Sequence, residues 1–527
     1  MLFISMLPTS MVNQASVCFL IITFSSILHV IYRRLARITL SRAKGCQTAR
    51  SKAPVKDPFI GFDFVYDTFF GKPEDRYLES THQAFKTFGT TYVVNRWSMD
   101  LAYTCDSRNI KHLLTSGFDD FALPRVRVSS VETLLGRGIF TLDGSSWHHA
   151  RSVLKPRLAK LDKDALISTM EQHFQAMIRL FPNDGSPVYL QSLYFRLAMD
   201  FASEFLMGNS TGMLGHQAEK QTKAQQFVDD YMTCSTEVIK RLGFGPLRHL
   251  RVNLSAIHAR KRVFKYIDDF IDESLERKHS KMTDDHYDML TELAAVTKDR
   301  KVLRDQVLHL LVASRDTTAS VLSNLFFMLA RNPRVYKRLR EAVLAVAGTT
   351  APTATQLKKM EYVRWCINEC KSCSVATLQP QVADVKYEAL RLHPVIPTNA
   401  REARHDTTIP YGGGADGNSP LLVKKGVVVM YNLYAMHRDE RVFGHDPEAF
   451  VPERWEDLCP GWGYLPFSGG PRICMGQHLA LTEAQYVVAR MAQTFEAIEG
   501  HGEKDWVELY ALATTCRDGV KVTLHRA

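Results

Sequence analysis

The chain has 527 residues, 45% hydrophobic and 23% charged, a globular composition that argues against disorder. Much of its formal net charge of +10 gathers near the N-terminus, which points to a membrane surface, and no RNA-binding signature or aromatic-interleaved strand pattern points to nucleic acid. Ten cysteines follow no repeating spacing, which argues against a disulfide framework and for reduced thiols in a cytosolic domain.

No Lys, Arg, Asp or Glu occurs from Met1 to Ile31. Met11 to Tyr32 supplies the roughly 20 mostly apolar residues that a spanning helix needs. Arg33, Arg34, Arg37, Arg42, Lys44, Arg50, Lys52 and Lys56 follow at once. Positive flanks stay in the cytosol. Residues 1–32 are therefore expected to be a single-pass anchor in the endoplasmic reticulum membrane, with a lumenal N-terminus and a cytosolic remainder. A cleaved signal peptide would carry its basic residues before the apolar stretch, not after it. Residues 33–58 read as a basic linker ending in Pro54 and Pro58. Residues 59–527 show no second linker, repeat or low-complexity run.

Helical periodicity dominates this larger part. Pro73 to Phe88 predicts a first helix with proline at its start. Thr90 to Arg96 and Asp100 to Cys105 predict a hairpin, and Asp106 a cap for a helix running to Leu114. Further helices are predicted over Leu166–Leu180, Lys220–Leu242, Val263–Arg277 and Leu303–Arg331. The tail from Trp506 to His525 alternates like strands. The fold class expected is mainly α with a minor β part.

Three stretches carry chemistry. Phe467 to Gly476 reads FSGGPRICMG and precedes an apolar helix from Gln477. By itself such a loop suits a buried structural cysteine in a turn. It also suits a thiolate ligand of haem iron, which pushes electron density toward O–O cleavage. Backbone N–H donors, glycines and a helix start beside the sulfur would all serve that ligand. Glu388 and Arg391 stand at i and i+3 on one helix face, usually a solvated pair. Ala313-Ser-Arg-Asp316-Thr317-Thr318 places an acid and hydroxyls inside an apolar helix, where unpaired burial is costly. They suit proton delivery during dioxygen reduction; the plainer alternative is a threonine bonded back to the i−4 carbonyl.

Together these stretches resemble the cytochrome P-450 superfamily. The pattern Phe467, Gly470, Arg472, Cys474, Gly476 is similar to its haem-binding signature. GIFTLDGSSWHHAR, RDTTAS, RLHPVIPTNAREA and PFSGGPRICMGQ look most like fungal members that hydroxylate n-alkanes and fatty acids. The resemblance covers nearly the whole chain beyond the anchor. It implies the P-450 fold and haem b with Cys474 as iron ligand. Phe467 would shield the sulfur. Arg472, Arg401 and the Trp147–Arg151 pair would hold the haem propionates. Glu388, Arg391 and Arg454 would form a buried triad behind the haem. Thr317 would hydrogen-bond dioxygen, and Asp316 would relay protons from solvent. Ser314 stands where the family usually has glycine, which puts efficient coupling in question.

The resemblance further implies insertion of one oxygen atom of O2 into a C–H bond of a lipophilic substrate: a fatty acid, an alkane or a fungal secondary metabolite. Electrons would come from NADPH through a membrane-bound NADPH–cytochrome reductase docked on the cysteine side. Val395, Ile396, Pro397, Thr398, Asn399 and Leu512 to Thr515 are candidates to line the substrate pocket, and Phe121 to Phe140 to cap it. Two readings of other classes are a haem-thiolate isomerase, which needs neither reductase nor proton relay, and a non-catalytic haem-binding membrane protein.

One stretch departs from the family. Between Tyr362-Val-Arg-Trp-Cys-Ile-Asn-Glu369 and Ala389-Leu-Arg391-Leu stand 19 residues, CKSCSVATLQPQVADVKYE. Removing them restores a continuous motif, with Val363, Ile367 and Leu390 recurring every four residues. Pro380 interrupts that helix as written. Cys-Lys-Ser can be encoded with GTAAGT, a donor-site sequence, and Ala-Asp with GCTGAC, a branch-point sequence. Residues 370–388 therefore read as a translated, unspliced intron. The rival is a surface loop in which Asp384 caps a shortened helix. The Cys370-Lys-Ser-Cys373 pair lacks partner ligands for a metal.

Overall fold

The computed structural model describes residues 24, 28, 31–32, 35–54, 76–96, 99–159, 163–215, 217–280, 289–367, 388–502 and 505–527. Most of the predicted anchor, the start at Pro73 and residues 370–387 lie outside them. Phe24, Leu28, Ile31 and Tyr32 are helical and 48–71% exposed. Among the described residues no helix is long and apolar enough to cross a membrane.

The expected linker is in part built into the fold. Residues 35–43 are helical, and Arg37 Nε donates to Asp406 Oδ2 at 2.9 Å. Gln47, Ala49 and Lys52 then bridge to Leu421, Gly413 and Val93. The backbone groups of residues 47–53 are thus paired with sheet edges rather than left to water.

The hairpin forms over Thr91–Arg96 and Met99–Thr104, in the register Thr91 to Thr104. Asp106 accepts from Arg108 N at 2.9 Å and caps the helix Ser107–Leu114. The hairpin belongs to a five-stranded sheet, whose spatial order is Thr91–Arg96, Met99–Thr104, Val428–Asn432, Thr398–Ala403, Phe121–Ala122. All its pairs are antiparallel except Met99–Thr104 with Val428–Asn432. The tail gives short strands, Glu508–Leu509, Thr515–Cys516 and Lys521–Arg526.

The other predicted helices appear as Lys163–Ile178, Ala218–Phe244, Leu254–Ser280 and Arg300–Leu329. The last is capped by Asp299, whose carboxylate accepts from Lys301 N and Val302 N. It runs through the main core, packed on Leu190–Met207, Leu254–Ser280 and Gln477–Thr494. Leu190–Met207 was not among the predicted helices; it is buried around most of its circumference.

Candidate active site

Helix Arg300–Leu329, the loop before helix Gln477–Thr494 and the five-stranded sheet enclose one cavity of about 1540 Å³. Its wall is mostly apolar. Cys474, Phe467, Arg472 and Gly476 line it, as do Trp147, Arg151, Arg401, Asp316 and Thr317.

The cysteine loop is shaped by close packing. Cys474 N donates to Phe467 O at 3.0 Å, and Ser468 takes a left-handed φ of 62°. Gly470 has φ +66°, and a Cβ there would meet Leu114 O at 1.8 Å. Its glycine is therefore demanded by helix Ser107–Leu114, not by a group in the cavity. Gly476 is different: a Cβ would meet nothing within 4 Å, so its face is open to the cavity. The sulfur is exposed to the cavity yet deep in the molecule. Burial pushes the thiol up, against the Gly476 N–H and the Arg151 guanidinium, which pull it down.

On the rim the cavity gathers positive charge. Arg472 Nη2 donates to Asp143 Oδ1 at 2.7 Å, and Arg404 reaches the same carboxylate at 3.0 Å. Burial, and then Arg401, pushes the Arg127 guanidinium down to about 10. Burial brings Arg472 down to about 10 as well, with Arg401 and Arg127 opposing its charge and Asp143 favouring it. Arg401 is 4% exposed, and its Nε has no partner among the described residues. The Tyr431 hydroxyl beside it is also buried without a partner among the described residues. Trp147 is buried under Arg472 and Arg151, at 4.2 and 5.7 Å from its ring. Asp143 is too little negative charge for this cluster, and buried charge persists only when compensated. An apolar disc carrying two carboxylates and taking one thiolate ligand fits these residues, so they fit haem b. Arg127 and Tyr431 were not foreseen; nothing in LPRVRVSS tells which arginine turns inward.

Behind the cysteine loop, Arg391 Nε and Nη2 donate to Glu388 at 2.8 Å each. Arg454 Nε donates to Glu388 Oε1 at 3.1 Å. Arg391 also satisfies the carbonyls of His437, Pro447 and Ala449.

On the opposite wall helix Arg300–Leu329 is continuous through Ser314, which lines the cavity. Thr317 donates to Ala313 O at 2.6 Å, the i−4 bond weighed as the alternative role. Asp316 is 7% exposed and accepts from Arg315 Nη1 at 2.5 Å and Tyr231 OH at 2.6 Å. A further acid was missed by sequence reasoning. Glu483 lines the cavity, accepts from Thr318 at 2.7 Å, and is pushed up to about 8 by burial. An acid among the apolar residues of the helix Gln477–Thr494 was the available signal.

Val395, Ile396, Thr398, Asn399, Leu512 and Ala513 line the cavity. Pro397, Thr514 and Thr515 do not; Thr514 N instead ties the tail to Val395 O at 2.9 Å. The segment Phe121–Phe140 contributes Leu123, Val126, Val131, Leu135, Ile139 and Phe140 to the wall.

The cytochrome P450 family model matches residues 58–370 and 380–515. The chain is 38% identical over 493 residues to cytochrome P450 monooxygenase himC of Aspergillus japonicus, covering 92% of this chain and 84% of that protein. It is 35% identical over 511 residues to cytochrome P450 52A13 of Debaryomyces hansenii, covering 93% and 94%. Cytochrome P450 52A10 of Candida maltosa is 37% identical over 474 residues, covering 84% and 86%.

Proposed function

Because this chain belongs to the cytochrome P450 family, and is thus a haem-b monooxygenase fed electrons from NAD(P)H by a redox partner, we propose that it hydroxylates a long lipophilic substrate of the fatty-acid, alkane or fungal secondary-metabolite class. The observation that carries this reading is a large cavity, apolar over most of its wall, with a cysteine sulfur at one side and an unbalanced arginine cluster at its rim. Haem bound there supplies the activation of dioxygen. The Gly476 N–H would favour the Cys474 thiolate, which a haem iron held there would keep deprotonated. Arg401, Arg472, Arg151 and Trp147 would hold the two carboxylates, with Arg127 and Tyr431 beside them. The apolar wall excludes water and keeps the substrate chain against the sulfur side. Thr317 moves a proton at Oγ1, and Asp316 resupplies it from its carboxyl. Asp316 and Thr317 on the cavity wall suit a monooxygenase, since the isomerase would need no such relay.

We assign the redox partner as an NADPH–cytochrome reductase, docked on the cysteine side. Residues 1–32 are proposed as the single-pass anchor in the endoplasmic reticulum membrane. The substrate is tested by comparing metabolites of a strain lacking the gene with those of its parent. A precursor that accumulates and is converted by the purified chain with reductase and NADPH supports the reading. The reading of the site is tested by Cys474→Ser. The variant is expected to lose the thiolate-type band of the reduced carbon monoxide complex and all NADPH-driven oxygenation. Retained activity would overturn the assignment of Cys474.

A further inference from the structure

Asp316 is an acid on the cavity wall whose two oxygens are both engaged. Oδ1 accepts from Arg315 Nη1 at 2.5 Å, within the same helix. Oδ2 accepts from Tyr231 OH at 2.6 Å, from helix Ala218–Phe244. Tyr231 is 3% exposed and Arg315 5%, so water does not compete for either bond. Arg315 is itself packed on the rings of Phe195 and Tyr231, at 4.9 and 5.7 Å. A buried hydroxyl facing a buried carboxylate is a charge-assisted bond, about twice as strong as a neutral one. The same helix Ala218–Phe244 reaches the cavity wall farther along, at Ile239, Leu242 and Gly243.

We infer that Tyr231 is a positioning residue for the Asp316 carboxylate, and that this bond makes proton supply to the cavity depend on how helix Ala218–Phe244 is seated. A substrate pressing on Ile239 and Leu242 acts on the element that holds the acid. This inference rests on the relay role given to Asp316 above. Each NADPH brings two electrons. With two protons, O2 and a C–H bond give an alcohol and water; with two protons and O2 alone they give hydrogen peroxide. Protons delivered in the wrong place therefore send electrons to peroxide.

The test uses the full chain with a cytochrome reductase, NADPH and dodecanoic acid as probe. Tyr231→Phe removes one hydroxyl and keeps the ring against Arg315. The ratio of hydrogen peroxide to oxygenated product is expected to rise about tenfold or more, the scale of one lost hydrogen bond to a charged group. The solvent deuterium isotope effect on NADPH consumption is expected to grow. The carbon monoxide spectrum and hydrogen-peroxide-driven conversion are expected to stay unchanged, since peroxide brings its own protons. An unchanged peroxide ratio and isotope effect would overturn the inference. Should Tyr231→Phe fold poorly, Arg315→Lys tests the other arm by the same readouts. The double variant Tyr231→Phe/Asp316→Asn must be no worse than Asp316→Asn alone; additive losses place Tyr231 outside this route. If Asp316→Asn itself leaves the peroxide ratio unchanged, the relay role of Asp316 fails, a different result from failure of Tyr231 alone.

Discussion

Glu388 and Arg391 meet through two parallel bonds of 2.8 Å, three residues apart on one short helix, with neither side chain reached by water. Arg454 adds a third bond to the same carboxylate at 3.1 Å. Removing the acid strands two guanidiniums in the interior. Glu388→Ala is therefore expected to destabilise the fold by about 3–5 kcal/mol, the scale for breaking a buried pair. Thermal unfolding followed by circular dichroism reads the loss. An Ala variant within the error of the parent would show that water replaces the pair without cost.

The arginine cluster predicts how tightly the prosthetic group is held. Arg127 is buried beside the like charge of Arg401, and Arg401 Nε has no partner among the described residues. Arg127→Ala is expected to release haem to apomyoglobin roughly tenfold faster, the value of one hydrogen bond to a charged group. Tyr431→Phe is expected to act in the same direction and less strongly. The transfer is read from the myoglobin absorbance and needs no turnover. Release at the parental rate in both variants would remove these two residues from the propionate site.

Glu483 predicts a dependence on pH. Burial raises its carboxyl to about 8, with Thr318 pulling the other way. The folded state thus holds the proton more tightly than the unfolded chain does. Stability from this group is complete below the unfolded value near 4.5 and falls as pH rises toward about 8. The loss at high pH is on the order of a few kcal/mol. Glu483→Gln removes the ionisation and keeps the shape. Its unfolding midpoint is expected to fall less than the parent's between pH 5 and pH 8, so that the variant gains on the parent as pH rises. Parallel curves for the two proteins would contradict a protonated Glu483.

How much of this was legible in the residues differs by kind. The hairpin, the Asp106 cap and the long helix through Asp316 follow from local rules, and their ends fall within a few residues of the prediction. The helix Leu190–Met207 was not predicted, although most of its circumference is buried in the core. The cysteine loop was readable as a motif, but the reason for Gly470 was not. Its close neighbour, Leu114 O, lies more than 350 residues earlier in the chain. Tyr231 and Asp316 are likewise brought together by two helices crossing, a fact of packing that no spacing encodes. Residues 33–58 read as a linker on charge and proline alone; their pairing with Leu421, Gly413 and Val93 is a tertiary event.

The last prediction concerns residues 370–388, which we propose are a translated intron. The helix Glu361–Ile367 on one side and Glu388–Leu392 on the other pack against each other. Val363, Ile367 and Leu390 are all buried in the same core cluster. Deleting the 19 residues joins Glu369 to Ala389, so that Glu369 stands three residues before Arg391, where Glu388 stands now. The i to i+3 spacing that pairs Glu388 with Arg391 is then kept on one uninterrupted helix. The deletion variant is expected to fold, to bind haem and to show the thiolate-type carbon monoxide band. Adding Glu369→Ala to the deletion should destabilise it as Glu388→Ala does the parent, because the same two guanidiniums lose their acid. A deletion variant insensitive to Glu369→Ala would show that Glu369 does not take that place. The message itself decides the origin of the segment. Sequencing of the mature transcript is expected to show these codons spliced out of the dominant form; their presence there would sink the intron proposal, and the segment would belong to the working enzyme.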